Sequence, residues 1–169
     1  MAATFLDSVA GRIRQIAAIV TSTGAPDADK LVSTGPDGRI DETVLPVGIG
    51  ADIAEIEMSE NLAASDLVNV WNDGGTAKVR KADATAAGKE ADGFVLDAGT
   101  SGNPAMVYFE GRITGLSGLT PGARYYLDTT AGALTATPPS ASNNVVQYIG
   151  RAISATELAF EADEGVILA

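Results

Sequence analysis

Residues 67–81 read LVNVWNDGGTAKVRK, and this stretch decides the fold class. The apolar run Leu67–Trp71 ends at Asn72, Asp73, Gly74 and Gly75, a set suited to the tight turn of a β-hairpin. Ala77–Lys81 supplies the return strand, with Lys78 and Arg80 on one face and Val79 and Lys81 on the other. Such a basic strand suits a solvated edge, where charge discourages strand-to-strand aggregation. A salt-bridged contact to an acidic neighbouring subunit is the second use.

Short runs of the same kind continue to the C-terminus. Strands are expected at Gly93–Asp97, Ala105–Ile113, Ala123–Leu127, Leu134–Thr137, Val145–Ile153, Glu157–Phe160 and Val166–Leu168. Turn residues separate them at Thr100-Ser101-Gly102-Asn103-Pro104, Thr120-Pro121-Gly122 and Thr130-Ala131-Gly132. About nine short strands at near-regular spacing predict a mainly β domain over 53–169, an antiparallel sandwich or barrel-like body. No long helical pattern interrupts them, which disfavours a βαβ architecture.

Towards the N-terminus the pattern changes twice. Residues 21–52 are read as an extended arm, punctuated by Gly24, Pro26, Gly35, Pro36, Gly38, Pro46, Gly48 and Gly50. Within it, Lys30–Ser33 and Arg39–Ile40 are expected to pair as short strands around the turn at Gly35–Gly38. Leu31, Val32, Ile40, Val44, Leu45, Val47 and Ile49 recur through the arm, too apolar for a solvated linker. They read as anchors laid across a surface. Before them, Leu6, Val9, Ile13, Ile16 and Val20 follow a 3-4-3-4 spacing, which predicts an amphipathic helix over residues 1–20 with Phe5 beside its stripe. So short a helix needs a surface to lie on, in its own domain, on sister subunits or on a partner.

Composition narrows the chemistry. The chain has 169 residues, 46% hydrophobic and 20% charged, with no cysteine and no histidine. The commonest general base, thiol nucleophiles and most zinc sites are therefore missing. Carboxylate pairs such as Asp92 with Asp97, or Glu157 with Glu161, flank strands and read as polar strand ends. The acids around Asp37-Gly38-Arg39-Ile40-Asp41 fail the calcium-loop pattern, because Ser33, Gly35 and Val44 stand where ligands belong. Gly48-Ile49-Gly50 lacks the helix and third glycine of a phosphate cradle. The reading is of a non-enzymatic chain with no cofactor and no metal.

Net charge is −11, and residues 1–20 carry +1, leaving −12 for the other 149. An acidic surface repels phosphate backbones, so nucleic acid is a poor partner. No apolar run reaches the roughly 20 residues that span a bilayer, and Arg12 and Arg14 interrupt any signal-peptide pattern. Trp71, Tyr108, Tyr125, Tyr126 and Tyr148 are the aromatics that a carbohydrate-binding module would need exposed; in strands, core packing is their expected role.

The order of several segments resembles the capsid cement, or head decoration, proteins of tailed bacteriophages. The matching pieces are KLVSTGPDGRID (30–41) with LPVGIG (45–50), LVNVWNDGG (67–75) with KVRKAD (78–83), GFV (93–95), VYFEG (107–111) and LSGLTPGARYYL (116–127). The last piece is also similar to modules of phage tail fibres. The resemblance implies a β-rich subunit on the capsid exterior, made in the host cytoplasm, contacting the major capsid protein and self-associating as a dimer or trimer. It implies no catalysis. The alternative it leaves open is a tail-fibre or receptor-binding module, in which the N-terminal stripe would form a trimeric coiled coil.

Overall fold

The computed structural model describes residues 4–9, 12–45 and 52–169. The chain divides into two compact units, Met1–Gly50 and Ala51–Ala169.

The first unit opens with a β-hairpin, and this corrects the helix expected over residues 1–20. Strand β1 (Thr4–Val9) pairs antiparallel with β2 (Arg12–Ala17). The register sets Phe5 opposite Ile16, Leu6 opposite Gln15, Asp7 opposite Arg14 and Val9 opposite Arg12. The physical reason lies in the residues. Thr4, Val9, Ile13 and Ile16 are β-branched and lose χ1 freedom in a helix, whereas a pleated strand accommodates them. Gly11 costs a helix interior ~1 kcal/mol against alanine. The helical stripe is thereby split, with Leu6 and Ile13 on one face of the hairpin and Val9 and Ile16 on the other.

A second correction concerns residues 30–40. The turn forms, with the Gly38 amide donating to the Gly35 carbonyl at 3.0 Å and the Gly35 amide to the Arg39 carbonyl at 2.7 Å. Val32, however, forms a parallel bridge with Ile19 instead of a ladder with Arg39–Ile40. The Ile19 amide donates to Leu31 O and the Ser33 amide to Ile19 O, so the chain leaving β2 satisfies this backbone.

The second unit is mainly β and antiparallel. In chain order its strands are β3 (Ile53–Glu57), β4 (Leu67–Asp73), β5 (Thr76–Lys81), β6 (Gly93–Val95), β7 (Pro104–Tyr108), β8 (Gly111–Ile113), β9 (Arg124–Leu127), β10 (Leu134–Thr135), β11 (Val145–Val146), β12 (Tyr148–Ala152), β13 (Leu158–Phe160) and β14 (Val166–Ile167). One five-stranded sheet has the order β3-β7-β6-β4-β5 and the other β10-β9-β12-β13-β8, while β11 and β14 form a separate pair.

The β4–β5 hairpin shows how the sequence sets the register. Asp73 pairs with Thr76, leaving Gly74 and Gly75 as a two-residue loop with φ of 63° and 98°. Positive φ at both positions is what such a turn demands. The Asn72 side-chain carbonyl accepts the Gly75 amide at 2.7 Å and fixes the turn.

Two runs expected as single strands change partners partway. Residues 105–113 split into β7, in the first sheet, and β8, in the second, with Phe109 and Glu110 between. Residues 145–153 split into β11 and β12 at Gln147. The first of these crossings joins the two five-stranded sheets, which share one core. Leu67 and Phe94 of the first sheet pack with Ile113, Leu127, Ile149 and Leu158 of the second. A smaller cluster, Met58, Leu62, Val68, Val79, Val95 and Val107, lies on the first sheet under residues 58–62. Each large core side chain contributes about 1.5–3 kcal/mol of burial.

Candidate functional site

The second unit holds every fully buried side chain among the described residues, from Met58 to Phe160. Its charged groups are mostly committed internally. Lys78 bonds Asp73 at 3.0 Å and Glu57 at 3.2 Å, and these bonds raise its pKa above the ordinary lysine value. Lys81 pairs with Asp66 at 3.1 Å. Arg80 donates to Asn69 Oδ1 at 3.0 Å and to Gly88 O at 2.6 Å, and lies 4.9 Å from the centre of the Trp71 ring. The basic strand thus meets acids and carbonyls of its own chain.

Asp92, one of the carboxylates singled out by sequence, also bonds within its own chain. Asp92 Oδ2 accepts the Val70 amide at 2.7 Å and Asn69 Nδ2 at 3.1 Å. Burial outweighs these bonds and, with nearby Glu90, holds its carboxyl above the usual range. Burial pushes Asp83 the same way, but bonds from Thr85 and Lys89 outweigh it and leave its pKa lowered.

The first unit is built differently. Its turns are stitched by short side chains bonding to nearby groups. Asp27 accepts Lys30 Nζ at 2.6 Å, the Thr23 amide at 2.6 Å and the Thr23 hydroxyl at 2.7 Å, which hold its carboxyl well below the usual carboxylate range. Asp41 accepts the Thr43 hydroxyl at 2.5 Å and its amide at 3.0 Å, and is likewise lowered. Asp37 takes the Arg39 amide at 3.1 Å. Each acid therefore serves its own turn.

With the turns closed by polar groups, the apolar side chains are left outside. Leu6, Ile13, Val20, Leu31, Val32, Ile40 and Leu45 are seven of the eleven exposed large apolar residues among those described. The unit supplying them is less than half as long as the other, so the concentration is not a matter of length. Leu6 and Ile13, at 77% and 75%, are almost bare. Ile16 and Val44 are half-buried. Ile16 lines a groove with Leu6, Ala18, Ile19, Lys30 and Leu31. Phe5 and Val9 are placed by backbone register, Phe5 opposite Ile16. Val47 and Ile49 lie outside the described residues.

Comparison with protein families and with curated proteins finds no match. The functional reading rests on this geometry and on the sequence.

Four exposed apolar residues of the second unit, Met106, Ile153, Val166 and Ile167, had no signal in the sequence that separated them from core strand residues. Val166 and Ile167 form β14, at 64% and 57% exposure, because their only strand partner among the described residues is the two-residue β11.

Proposed function

We propose that this chain is a structural virion protein that docks on the outer surface of a phage capsid and stabilises the expanded lattice of the major capsid protein. The observation that carries the reading is the set of exposed apolar side chains on the first unit, Leu6 and Ile13 on its paired strands and Val20 to Leu45 among turns that polar bonds have already closed. Covering six or seven such residues offers roughly 1.5–3 kcal/mol each before ordering costs. A subunit that binds only the expanded lattice stabilises it by mass action, and many copies add up. The segment order, which resembles that of head decoration proteins, supports the same reading.

A tail-fibre module is the second reading. It required a trimeric coiled coil from the N-terminal stripe, and Thr4–Val9 and Arg12–Ala17 pair as antiparallel strands instead.

The test is decoration of expanded heads assembled from the major capsid protein of the same phage. Deleting residues 1–50 is expected to abolish co-sedimentation with those heads. The Trp71 fluorescence of the remaining unit should stay native. Undiminished decoration by the truncated chain defeats the proposal, and labelled copies found only on tails would favour the fibre module.

A further inference from the structure

The outer face of the second sheet carries a charge arrangement that the fold does not require. Register sets Arg112 of β8 beside Ala159 of β13, Ala159 beside Arg151 of β12, and Arg151 beside Arg124 of β9. Their sequence neighbours Ile113, Leu158, Ala152 and Tyr125 enter the core, so this row points away from it. All three arginines are exposed. Strands lie ~4.8 Å apart, which places Arg151 one spacing from Arg124 and two from Arg112.

Among the described residues no carboxylate pairs with any of the three, whereas Lys78, Lys81 and Lys89 each hold one. Arg151 donates to Gly122 O at 2.6 Å, and Arg124 lies 5.9 Å from the centre of the Tyr148 ring. Like charges directly opposite weaken a sheet. Residues 51–169 contain 16 Asp/Glu against 7 Lys/Arg, a net of −9, yet no ion pair joins any described acid to the row, although Glu157 and Glu161 flank Ala159 on its side of β13. Beside the row, Tyr126 meets Tyr148 edge-on at 6.1 Å, both half-buried on the same face.

We propose that this face binds an acidic polysaccharide of the uronic-acid type, with carboxylates on Arg112, Arg151 and Arg124 and a sugar ring against Tyr126 and Tyr148. Guanidinium groups match carboxylates as bidentate forks. A tyrosine offers an apolar ring beside a polar hydroxyl, which suits the two sides of a sugar. Charge density separates this ligand from duplex nucleic acid, and the single strand is left to the test. A duplex carries one negative charge per roughly 1.7 Å of axis, and three arginines on a body of net −9 do not offset that repulsion. A polyuronate carries one carboxylate per ring, a sparser chain that three arginines can match. The site is independent of the docking proposed for the first unit.

The experiment titrates the whole chain with a galacturonate hexamer, followed by calorimetry and by NMR shifts at Tyr126 and Tyr148. Its methyl ester, a glutamate hexapeptide and a single-stranded DNA hexamer are the matched arms. The galacturonate is expected to bind and the ester to fail. The triple variant R112Q/R124Q/R151Q should lose about tenfold in affinity or more with an unchanged unfolding midpoint. The proposal is overturned by no binding, by equal binding of the glutamate peptide or the DNA, or by a triple variant that binds like the parent.

Discussion

Gln147 closes both hydrogen-bonding positions of Ala91, a residue 56 positions away. Its Oε1 accepts the Ala91 amide at 2.7 Å and its Nε2 donates to the Ala91 carbonyl at 2.9 Å. Nε2 also donates to Asp163 O at 3.0 Å, and the side chain is 3% exposed. Gln147→Leu fills similar space but strands an amide and a carbonyl, each costing roughly 1–3 kcal/mol when buried without a partner. The expected loss is about 3 kcal/mol in a urea melt followed by Trp71, the single tryptophan. A midpoint within error of the parent would mean that water replaces the amide without cost.

Gly150 sits where β12 passes β13 with no room for a side chain. A Cβ at this position would lie 1.9 Å from Ala159 O and 2.7 Å from Leu158 Cδ2. The obstacle is backbone, so relief requires the two strands to part. Gly150→Ala is expected to destabilise the second unit by about 2–3 kcal/mol, at the upper end of ordinary overpacking. Thermal denaturation read by Trp71 fluorescence checks it. An unshifted midpoint in this variant would show that the strands separate freely.

The turns were the most legible part of this fold, because their residues carry a local mechanism. Gly74 and Gly75 announce positive φ, and Thr120-Pro121-Gly122 closes as expected, with the Ala123 amide on Thr120 O at 3.0 Å. What stayed hidden was pairing. Residues 105–113 and 145–153 read as continuous runs, and nothing local says that Glu110 and Gln147 mark a change of partner. Strand β3 was passed over because Ile53-Ala54-Glu55-Ile56-Glu57 mixes its faces, and it is held by β7. The N-terminal stripe misled because its 3-4 spacing fits a helix face, while its mostly β-branched residues favour strands. The exposure of Leu31 and Ile40 was legible for a simple reason: they sit among prolines and glycines, with no amphipathic element to turn them inward. The arginine row was not, since Arg112, Arg124 and Arg151 become neighbours only through cross-strand register.

Exposed apolar anchors make a prediction opposite to that of core residues. Leu6→Ser and Ile13→Ser remove side chains that meet mainly solvent in the free chain, so each is expected to change stability by no more than about 0.5 kcal/mol. The same pair should lower binding of a hydrophobic dye to the whole chain and weaken head decoration. Far-UV circular dichroism melts check the first outcome and dye fluorescence the second. A loss of several kcal/mol would show that Leu6 and Ile13 are buried in solution, leaving the first unit with less to offer a partner.

Asp92 supplies a pH signature with a definite sign. Its folded carboxyl titrates above the ordinary value because burial, aided by the Glu90 charge, disfavours the anion. The folded state therefore holds more protons than the unfolded one between the two pKa values, so stability falls as pH rises through the folded pKa. Asp83 works in the opposite sense, its lowered pKa adding stability that disappears only in stronger acid. Asp92→Asn removes one of these groups and leaves the other, so the informative quantity is the difference between variant and parent. On acidification from neutral pH, the parent should gain stability relative to Asp92→Asn through the folded pKa of Asp92. The gap should then stay constant below the ordinary aspartate value of 3.8. Urea midpoints at half-unit pH steps, read at Trp71, measure that gap, and a gap flat from neutral pH to about 4, the ordinary aspartate range, would show that Asp92 stays ionised in the folded chain at no cost.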